Sequence, residues 1–299
     1  MSLLAGAAPA GQGHQRTFGG LVSTRLGVDA AQVAVEMPDS AGPVASVGSF
    51  GSRSGQIVAS AVDEACRTLQ GQARILAAHL LEAGPGDVVV HADGRIGVAG
   101  VPDRSLSIIE LGQRSHELNQ LPQGVESGLA STGSFAQDQR TFPAGCHAAV
   151  VEVDVETGGV TLLGLVTVTD CGTVLEADSA TGQAQGSMVQ GAAQALFEQV
   201  VYDESGNLLT GNLLTYGLPS TAELPALEVR FHPVPTDRNP LGVKGLGETG
   251  AVGAPAAVQN AVVDALGHLG VRHVEMPCTP ERVWTALRAA GGQPGREMS

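Results

Sequence analysis

The 299-residue chain is 43% hydrophobic and 15% charged, with a formal net charge of −14; this is a globular composition and excludes a disordered chain. The length suits one large domain or two of ordinary size, and the negative charge excludes a nucleic-acid partner, whose phosphates demand clustered Lys and Arg. No apolar run is long enough to cross a bilayer, and Met1-Ser2-Leu3-Leu4 lacks the basic and long apolar regions of a signal peptide, so a cytoplasmic chain without a membrane span is expected.

Aromatic residues amount to only 3% while glycine reaches 41, so packing must rest on Ala, Val and Leu with close backbone approaches. Cys66, Cys146, Cys171 and Cys278 are scattered, with no Cys-x-x-Cys pair and no companion histidine spacing. They read as small buried or semi-buried side chains rather than as metal ligands.

In chain order, Ser2 to Ala5 ends a strand that runs into Gly6-Ala7-Ala8-Pro9-Ala10-Gly11-Gln12-Gly13-His14. A helix follows, with Phe18, Leu21, Val22 and Leu26 on one face and Gly27 as its stop. Gln12, between two glycines, is either a satisfied turn residue or a ligand contact, and the residues alone leave both open. After a short strand at Gln32 to Val35 comes a second glycine-rich passage, Val47-Gly48-Ser49-Phe50-Gly51-Ser52-Arg53-Ser54-Gly55, which feeds a long helix from about Gln56 to Ala83. Ile57, Val58, Ala61, Val62, Ala65, Leu69, Ile75, Leu76 and Leu80 supply its apolar stripe, and Gly84-Pro85 ends it. Serines and glycines ahead of a helix form an anion cradle; ordinary N-capping by Ser52 or Ser54 is the plain alternative.

Asp87 to His91, the turn Asp93-Gly94 and Arg95 to Val98 make a hairpin. Ser107 to Leu111 supplies one or two helical turns, and Gly112 to Gly128 a connector between subdomains. His147 to Val155 and Val160 to Val168 pair across Thr157-Gly158-Gly159 as a long hairpin that leaves through Asp170-Cys171-Gly172. Gly182 to Gly191 opens a further helix, in which Gln190 and Gln194 are packing or interhelix hydrogen-bond groups. Tyr202 to Leu208 is a turn between strands whose adjacent Asp203 and Glu204 do not face each other.

The densest stretch is Leu241 to Pro255, Leu-Gly-Val-Lys-Gly-Leu-Gly-Glu-Thr-Gly-Ala-Val-Gly-Ala-Pro. Gly245, Gly247, Gly250 and Gly253 free the backbone for positive φ and close approach to a ligand. Pro255 sits where a first helical residue would, because Val258, Ala261, Val262, Ala265, Leu266 and Leu269 recur at helical spacing. A half-buried Glu248 then lies near a helix N-terminus and its partial positive charge, with Lys244 adding a full one. A glycine-rich packing turn is the competing reading; a P-loop is excluded because Gly-x-x-x-x-Gly-Lys-Ser/Thr is absent. Thr279, Pro280 and Glu281 open a last helix that buries Val283, Trp284 and Leu287.

Gly-Val-Lys-Gly-Leu-Gly-Glu followed by Gly-Ala-Pro resembles the active-site loop of the molybdenum hydroxylases, the family of xanthine dehydrogenase, aldehyde oxidase and aerobic carbon monoxide dehydrogenase. Gly11-Gln12-Gly13, Phe50-Gly51-Ser52-Arg53-Ser54, Gly182-Gln183 and the closing Met-Pro-x-Thr-Pro-Glu-Arg-Val-Trp resemble further motifs of that family, in its order. The likeness spans Gly11 to Leu287 but covers only the C-terminal part of the family's molybdenum subunit. It departs at Val174-Leu175-Glu176-Ala177-Asp178, where the family has a glycine and an Asn-Pro turn.

The resemblance implies an α+β fold of two mixed α/β subdomains, residues 1–118 and 119–299, the second carrying the glutamate loop. It implies that loops around Gln12, Ser52, Gln183 and Glu248 converge on one pterin-bound molybdenum, as molybdopterin or its cytosine dinucleotide. Glu248 would be the base beside the metal in a hydroxylation that takes oxygen from water, with an aldehyde or N-heterocycle as substrate. Gly11, Gln12, Gly13, Phe50, Gly51, Ser52, Arg53, Ser54, Gln183, Lys244 and Gly247 would contact the cofactor. Iron–sulfur clusters and FAD would sit on partner chains, and the missing first half of the molybdenum subunit on another, in a split enzyme or a truncated one. The alternative is a non-catalytic half that serves assembly only.

Overall fold

The computed structural model describes residues 1–36, 39 and 48–291. Val47, at the head of the second glycine-rich passage, and the tail beyond Gly291 lie outside the described residues. The fold is α+β, as expected. By its contacts the chain forms two compact units, residues 1–141 with 172–179 and 235–244, and residues 142–171 with 180–234 and 245–299. The sequence places a connector at Gly112 to Gly128; in the structure that stretch belongs to the first unit, where Val125 and Leu129 enter the core.

The first unit holds strands β1 (Ser2–Leu4) and β2 (Ala34–Glu36), which pair in parallel, and helices α1 (His14–Leu26) and α2 (Ser54–Leu80). It also holds β3 (Val88–Val90), β4 (Ile96–Val98) and β5 (Ser105–Leu106), an antiparallel sheet in that order, and α3 (Ile108–Ser115). Gly27 closes α1 in the left-handed conformation, as the sequence predicts.

The buried face of α2 keeps Val62, Leu69 and Leu76 of the expected stripe, with Val58 and Leu80 packed against it, but not the rest. Ala59, Val62, Cys66, Leu69, Ala73 and Leu76 recur every three or four residues and are buried, whereas Ile75 is 41% exposed. Ile57, Val58, Ala61 and Ala65 line an open cleft of about 1110 Å³ together with β1 and residues 128–135. The small side chains on the inner face, Ala59, Ser60, Ala73 and Ala77, are what a size-weighted reading passes over. Asp63 is fully buried on this face and bridges Arg25 (2.5 Å) and Arg67 (2.5 Å), which compensates an otherwise costly charge.

The second unit is built on β6 (Ala144–Val153), β7 (Val160–Asp170) and β8 (Leu227–Phe231). β6 and β7 form the expected long antiparallel hairpin, and β8 adds in parallel at the edge. Helix α4 runs over Ala177–Leu196, with its residues from Ala180 onward in this unit, followed by α5 (Thr249–Leu266) and α6 (Pro280–Ala289). Leu165, Met188, Val258, Val262, Leu266 and Val283 make the centre of its core.

Two helix starts and the burial of Trp284 and Cys146 differ from expectation. α4 starts at Ala177 rather than near Gly182, because Glu176 in the departing segment caps it: its carboxylate accepts from Ser179 N (2.6 Å) and Asp178 N (3.3 Å). α5 starts at Thr249 rather than Pro255, and Pro255 lies inside it, where its missing N–H leaves the Ala251 carbonyl without the usual helical bond. Gly250 and Gly253 are therefore helical residues, and the left-handed glycine of this stretch is Gly242 (φ 69°). α6 begins on Thr279 and Pro280 as read, but Trp284 is 39% exposed beneath Arg288, 4.6 Å from its ring centroid, instead of buried. Cys146 is exposed while the other three cysteines are buried, since it falls on an outward position of β6.

Candidate functional site

In the first unit two helices begin at the motif residues. α1 opens on Gly13 (φ 72°), after Gly11 (φ 99°), and no side chain caps it. A methyl group on Gly13 would stand 2.6 Å from Ser179 Oγ, so both backbone conformation and space require glycine here. Gln12 is half-buried, and its Oε1 accepts the Ala10 N–H. With the oxygen spent on that turn, the amide NH2 is the end left to donate to a ligand. Arg16, in the first turn of α1, pairs with Glu176 (3.1 Å) and Asp178 (2.6 Å), so the segment that departs from the family pattern has its own partner. Hydrogen bonds led by the Ser179 side chain hold the Glu176 carboxyl below the ordinary carboxylate range.

α2 opens on Arg53, whose side chain makes no capping bond, so the N-cap position falls on neither Ser52 nor Ser54. The approach is strained: Gly51 (φ 59°) and Ser52 (φ 52°) are left-handed in succession, and for serine this costs on the order of 1–3 kcal/mol. Phe50 O accepts Arg53 N (3.3 Å), and the Arg53 guanidinium lies over the Phe50 ring at 5.0 Å. Gln56 Nε2 donates to Ser52 O (3.0 Å), fixing the turn from the helix side. Phe50 and Gly51 are exposed and Ser52, Arg53 and Ser54 half-buried. Lys244 ends a second rigid loop of this unit. Asn239, which the sequence reading passed over, is buried; its Nδ2 donates to Val243 O (2.7 Å) and its Oδ1 accepts Val243 N (3.0 Å). The Asn-Pro dipeptide at 239–240 is the signal that marks this turn.

In the second unit Glu248 is the N-cap residue of α5, with no side-chain capping bond of its own. It is exposed, not half-buried as expected, because the residues before it, Gly245-Leu246-Gly247, carry only one side chain able to shield it. The helix behind it is held on two sides. Ser187 Oγ of α4 accepts Gly250 N (3.1 Å), and the His147 ring on β6 hydrogen-bonds the Thr249 backbone. Side chains are excluded at both contacts: a methyl on Gly250 would lie 2.4 Å from Met188 N and one on Gly253 2.1 Å from His147 Cδ2. Gly191 does the same from α4, where a methyl would meet Gly250 O and Pro255 Cδ at 2.8 Å. Burial pushes the His147 imidazole pKa down, partly opposed by that backbone bond, and its buried Nδ1 finds no partner among the described residues. Gln183 is half-buried in the second turn of α4, not at its start; Gln190 and Gln194 are exposed rather than packed.

The sequence motifs thus fall into two sets. Gly11 to Gly13, Phe50 to Ser54 and Lys244 belong to the first unit, and Gln183, Gly247 and Glu248 to the second. The first set suits an anionic, oxygen-rich group: two helix starts without side-chain caps, the Ser52 and Ser54 hydroxyls, the Arg53 guanidinium and the Gln12 amide are all donors. A carboxylate fixed at a helix N-terminus and open to solvent, as Glu248 is, suits proton transfer.

Residues 1–225 match the family model of the molybdopterin cofactor-binding domain. The chain is 34% identical to the carbon monoxide dehydrogenase large chain of Hydrogenophaga pseudoflava, over 93% of this chain and 34% of that one. It is 35% identical to the nicotine 6-hydroxylase large subunit of Paenarthrobacter nicotinovorans, again over 93% of this chain and 34% of the relative. Among solved structures it resembles the quinoline 2-oxidoreductase of Pseudomonas putida 86, with TM-score 0.86 and 33% identity over 96% of this chain and 36% of that one. The chain therefore spans about a third of the length of the curated relatives it matches.

Proposed function

The chain belongs to the molybdopterin cofactor-binding domain family, and from that premise we propose that it is the catalytic, cofactor-holding part of a molybdenum hydroxylase. Its substrate is then an aldehyde or an N-heterocycle, hydroxylated with water. Electrons leave to iron–sulfur and flavin groups on partner chains in the cytoplasm, and a further polypeptide supplies the rest of the molybdenum subunit. When bound, the molybdenum–pterin supplies Lewis acidity and accepts an electron pair. The chain's own residues do the rest. Ser52, Arg53, Ser54 and the start of α2 hold the anionic end of the cofactor, with Phe50, Gly51, Gly11, Gly13, Lys244 and Gly247 as further contacts. The Gln12 amide donates a hydrogen bond to an oxygen of the cofactor, and Gln183 contacts the pterin. Glu248 takes a proton on its carboxylate from the reacting hydroxyl.

One observation carries this reading above the others: Glu248 stands at the head of a helix fastened by Ser187 and His147 through glycines that admit no side chain. A base must be held within a fraction of an ångström of its proton, and this is the scaffold such placement requires. The test is Glu248→Gln in the complex purified from its own host. Molybdenum and pterin content should match wild type while turnover disappears. Near-wild-type turnover removes Glu248 from the role, and wild-type protein carrying neither metal nor pterin leaves the chain as an assembly component.

A further inference from the structure

The longest exposed apolar stretch of the second unit lies between α4 and β8. Tyr202, Leu208, Leu209, Leu213, Leu214 and Leu218 are all exposed, Leu213 at 82% and Leu214 at 94%. A loose loop with that composition would fold its leucines back against the body. This one is prevented from doing so. Asn212 Oδ1 accepts Leu214 N (3.0 Å) and Thr215 N (3.2 Å), while Asn212 O accepts Thr215 N (3.1 Å) and Tyr216 N (2.9 Å), which leaves the two leucines at the tip of a closed turn. The base of the turn is anchored: Tyr216 OH donates to Glu198 (3.1 Å), and a methyl on Gly217 would lie 2.7 Å from Phe197 O. The strand-like limb before it is tied as well, by Leu209 N to Val201 O (2.8 Å) and Val201 N to Thr210 Oγ1 (3.0 Å). Presenting apolar tips on a preorganised turn is how a protein surface lowers the entropic cost of docking.

Charge identifies the kind of partner. Between Arg140 and Arg230 the sequence has no lysine or arginine, and the loop itself carries or adjoins Glu198, Asp203, Glu204 and Glu223. Two copies of this face would set carboxylates against carboxylates, and an anionic lipid surface would be repelled in the same way. A protein with an apolar pocket rimmed by Lys and Arg is attracted on both counts. We propose that residues 200–218 form a docking surface for another protein subunit of that description, with Leu213 and Leu214 as the anchors and the acidic residues as the rim. The proposal rests on the reading of the chain as one part of a larger assembly, and it names the face through which that assembly is joined.

Lys244 is the chain's single lysine, which makes a discriminating experiment available. The complex purified from its own host is treated with a carbodiimide, which joins carboxylates to amines at contact distance, and the linked peptides are identified by mass spectrometry. The expected result is linkage of Asp203, Glu204 or Glu223 to lysines of a second polypeptide. Linkage of these residues only to Lys244 or the amino terminus marks a second copy and overturns the proposal, as does their remaining unlinked while other carboxylates of the chain are joined to partner lysines. In parallel, Leu213→Asp with Leu214→Asp, at positions too exposed to alter folding, should leave the melting temperature in place and reduce co-purification of that polypeptide about tenfold or more; undiminished co-purification overturns it. Metal and pterin assays on the same material separate the two readings, since loaded cofactor with no cross-links defeats only this one and cross-links without cofactor defeat only the catalytic one.

Discussion

The α-helices among the described residues begin in two ways. α3, α4 and α6 start under side-chain caps: Ser107 and Glu110 form a reciprocal capping box, Glu176 accepts two N–H groups, and Thr279 accepts from Arg282 N. α1, α2 and α5, which follow the motif segments at Gly11 to Gly13, Phe50 to Ser54 and Gly245 to Glu248, start on Gly13, Arg53 and Glu248 with no cap from that residue's side chain. A side-chain cap contributes about 1 kcal/mol to a helix, but glycine at the N-cap gives up only a few tenths, so the deficit is largest at Arg53 of α2. A start without a cap can leave N–H groups for a ligand, as the proposed function asks of α1 and α2, whereas at α5 Ser187 Oγ takes the Gly250 N–H and Leu246 O takes the Thr249 N–H. On the proposed function, the starts of α1, α2 and α5 are ones that would face the cofactor and substrate, and α4 joins them through Gln183 in its second turn.

The comparison is broken most severely by changing what α5 presents. Glu248→Gln keeps size and leaves the helix start intact, so the expected loss falls on turnover alone, about 10²–10⁴-fold in kcat for removal of a general base, read by steady-state kinetics on the assembled complex. Ser187→Ala is the matching test of how α5 is held. It removes the acceptor of Gly250 N, and the lost aim of Glu248 should appear as a smaller fall in kcat at unchanged cofactor content.

Next comes the packing that supports α5. Gly250→Ala drives a methyl to 2.4 Å from Met188 N, where the neighbour is backbone and cannot move aside. A cost of about 2–3 kcal/mol is expected in denaturant unfolding. Gly20→Ala on α1 is the control, because a methyl there meets nothing within 4 Å; with the entropic cost of a helical glycine removed it should stabilise by about 0.5–1 kcal/mol. Equal effects at the two positions would mean that α5 is not seated as closely as described.

A third difference is carried by pH. His14, the first residue of α1, and His147, beneath the start of α5, both have pKa values pushed down by burial. A group that is harder to protonate when folded takes up protons preferentially in the unfolded chain. Stability is thus full above the ordinary histidine value of about 6.5 and declines as pH falls through it towards the folded values. Carboxylates held low, such as Glu110 by the Ser107 cap and Glu176 by Ser179, add their losses only in the more acidic range. Melting temperatures measured from neutral pH downward should therefore fall in two stages, and His147→Gln, whose amide can still donate to the Thr249 backbone, should shrink the first without touching the second. An unchanged first stage would show that His147 does not stay neutral in the fold.

What could be read from the sequence follows the range of the forces involved. The α1 face, the β6–β7 hairpin and the α6 cap are set by residues within a turn or two of each other, and they stand where periodicity and turn chemistry put them. The start of α5 was displaced by six residues because Pro255 is an honest local signal that long-range packing overrides: Gly191 on α4 clears space for its ring, and Ser187 and His147 hold the helix ahead of it. Asn239 and Glu176 are different: their bonds run only two to four residues along the chain, and the Asn239-Pro240 dipeptide is a local signal for the first of them. Glu248 itself was legible as a motif residue, but its exposure was not, since shielding depends on side chains that its glycine neighbours lack.

The smallest and most direct contrast sets Ser107 against Ser54. Ser107→Ala breaks a reciprocal capping box in which Glu110 Oε2 also accepts Ser107 N (2.7 Å), and it should cost about 1 kcal/mol in unfolding free energy. Ser54→Ala falls one residue beyond the N-cap of α2, where no side-chain cap exists to lose, so its stability should change by no more than about 0.5 kcal/mol. If its hydroxyl serves the cofactor, the Ser54 variant should nevertheless retain less pterin after dialysis, while the Ser107 variant retains all of it. Reversal of that pattern, with Ser54 destabilising and pterin held equally by both, would make the start of α2 ordinary scaffold and take the anion-holding role away from residues 50 to 54.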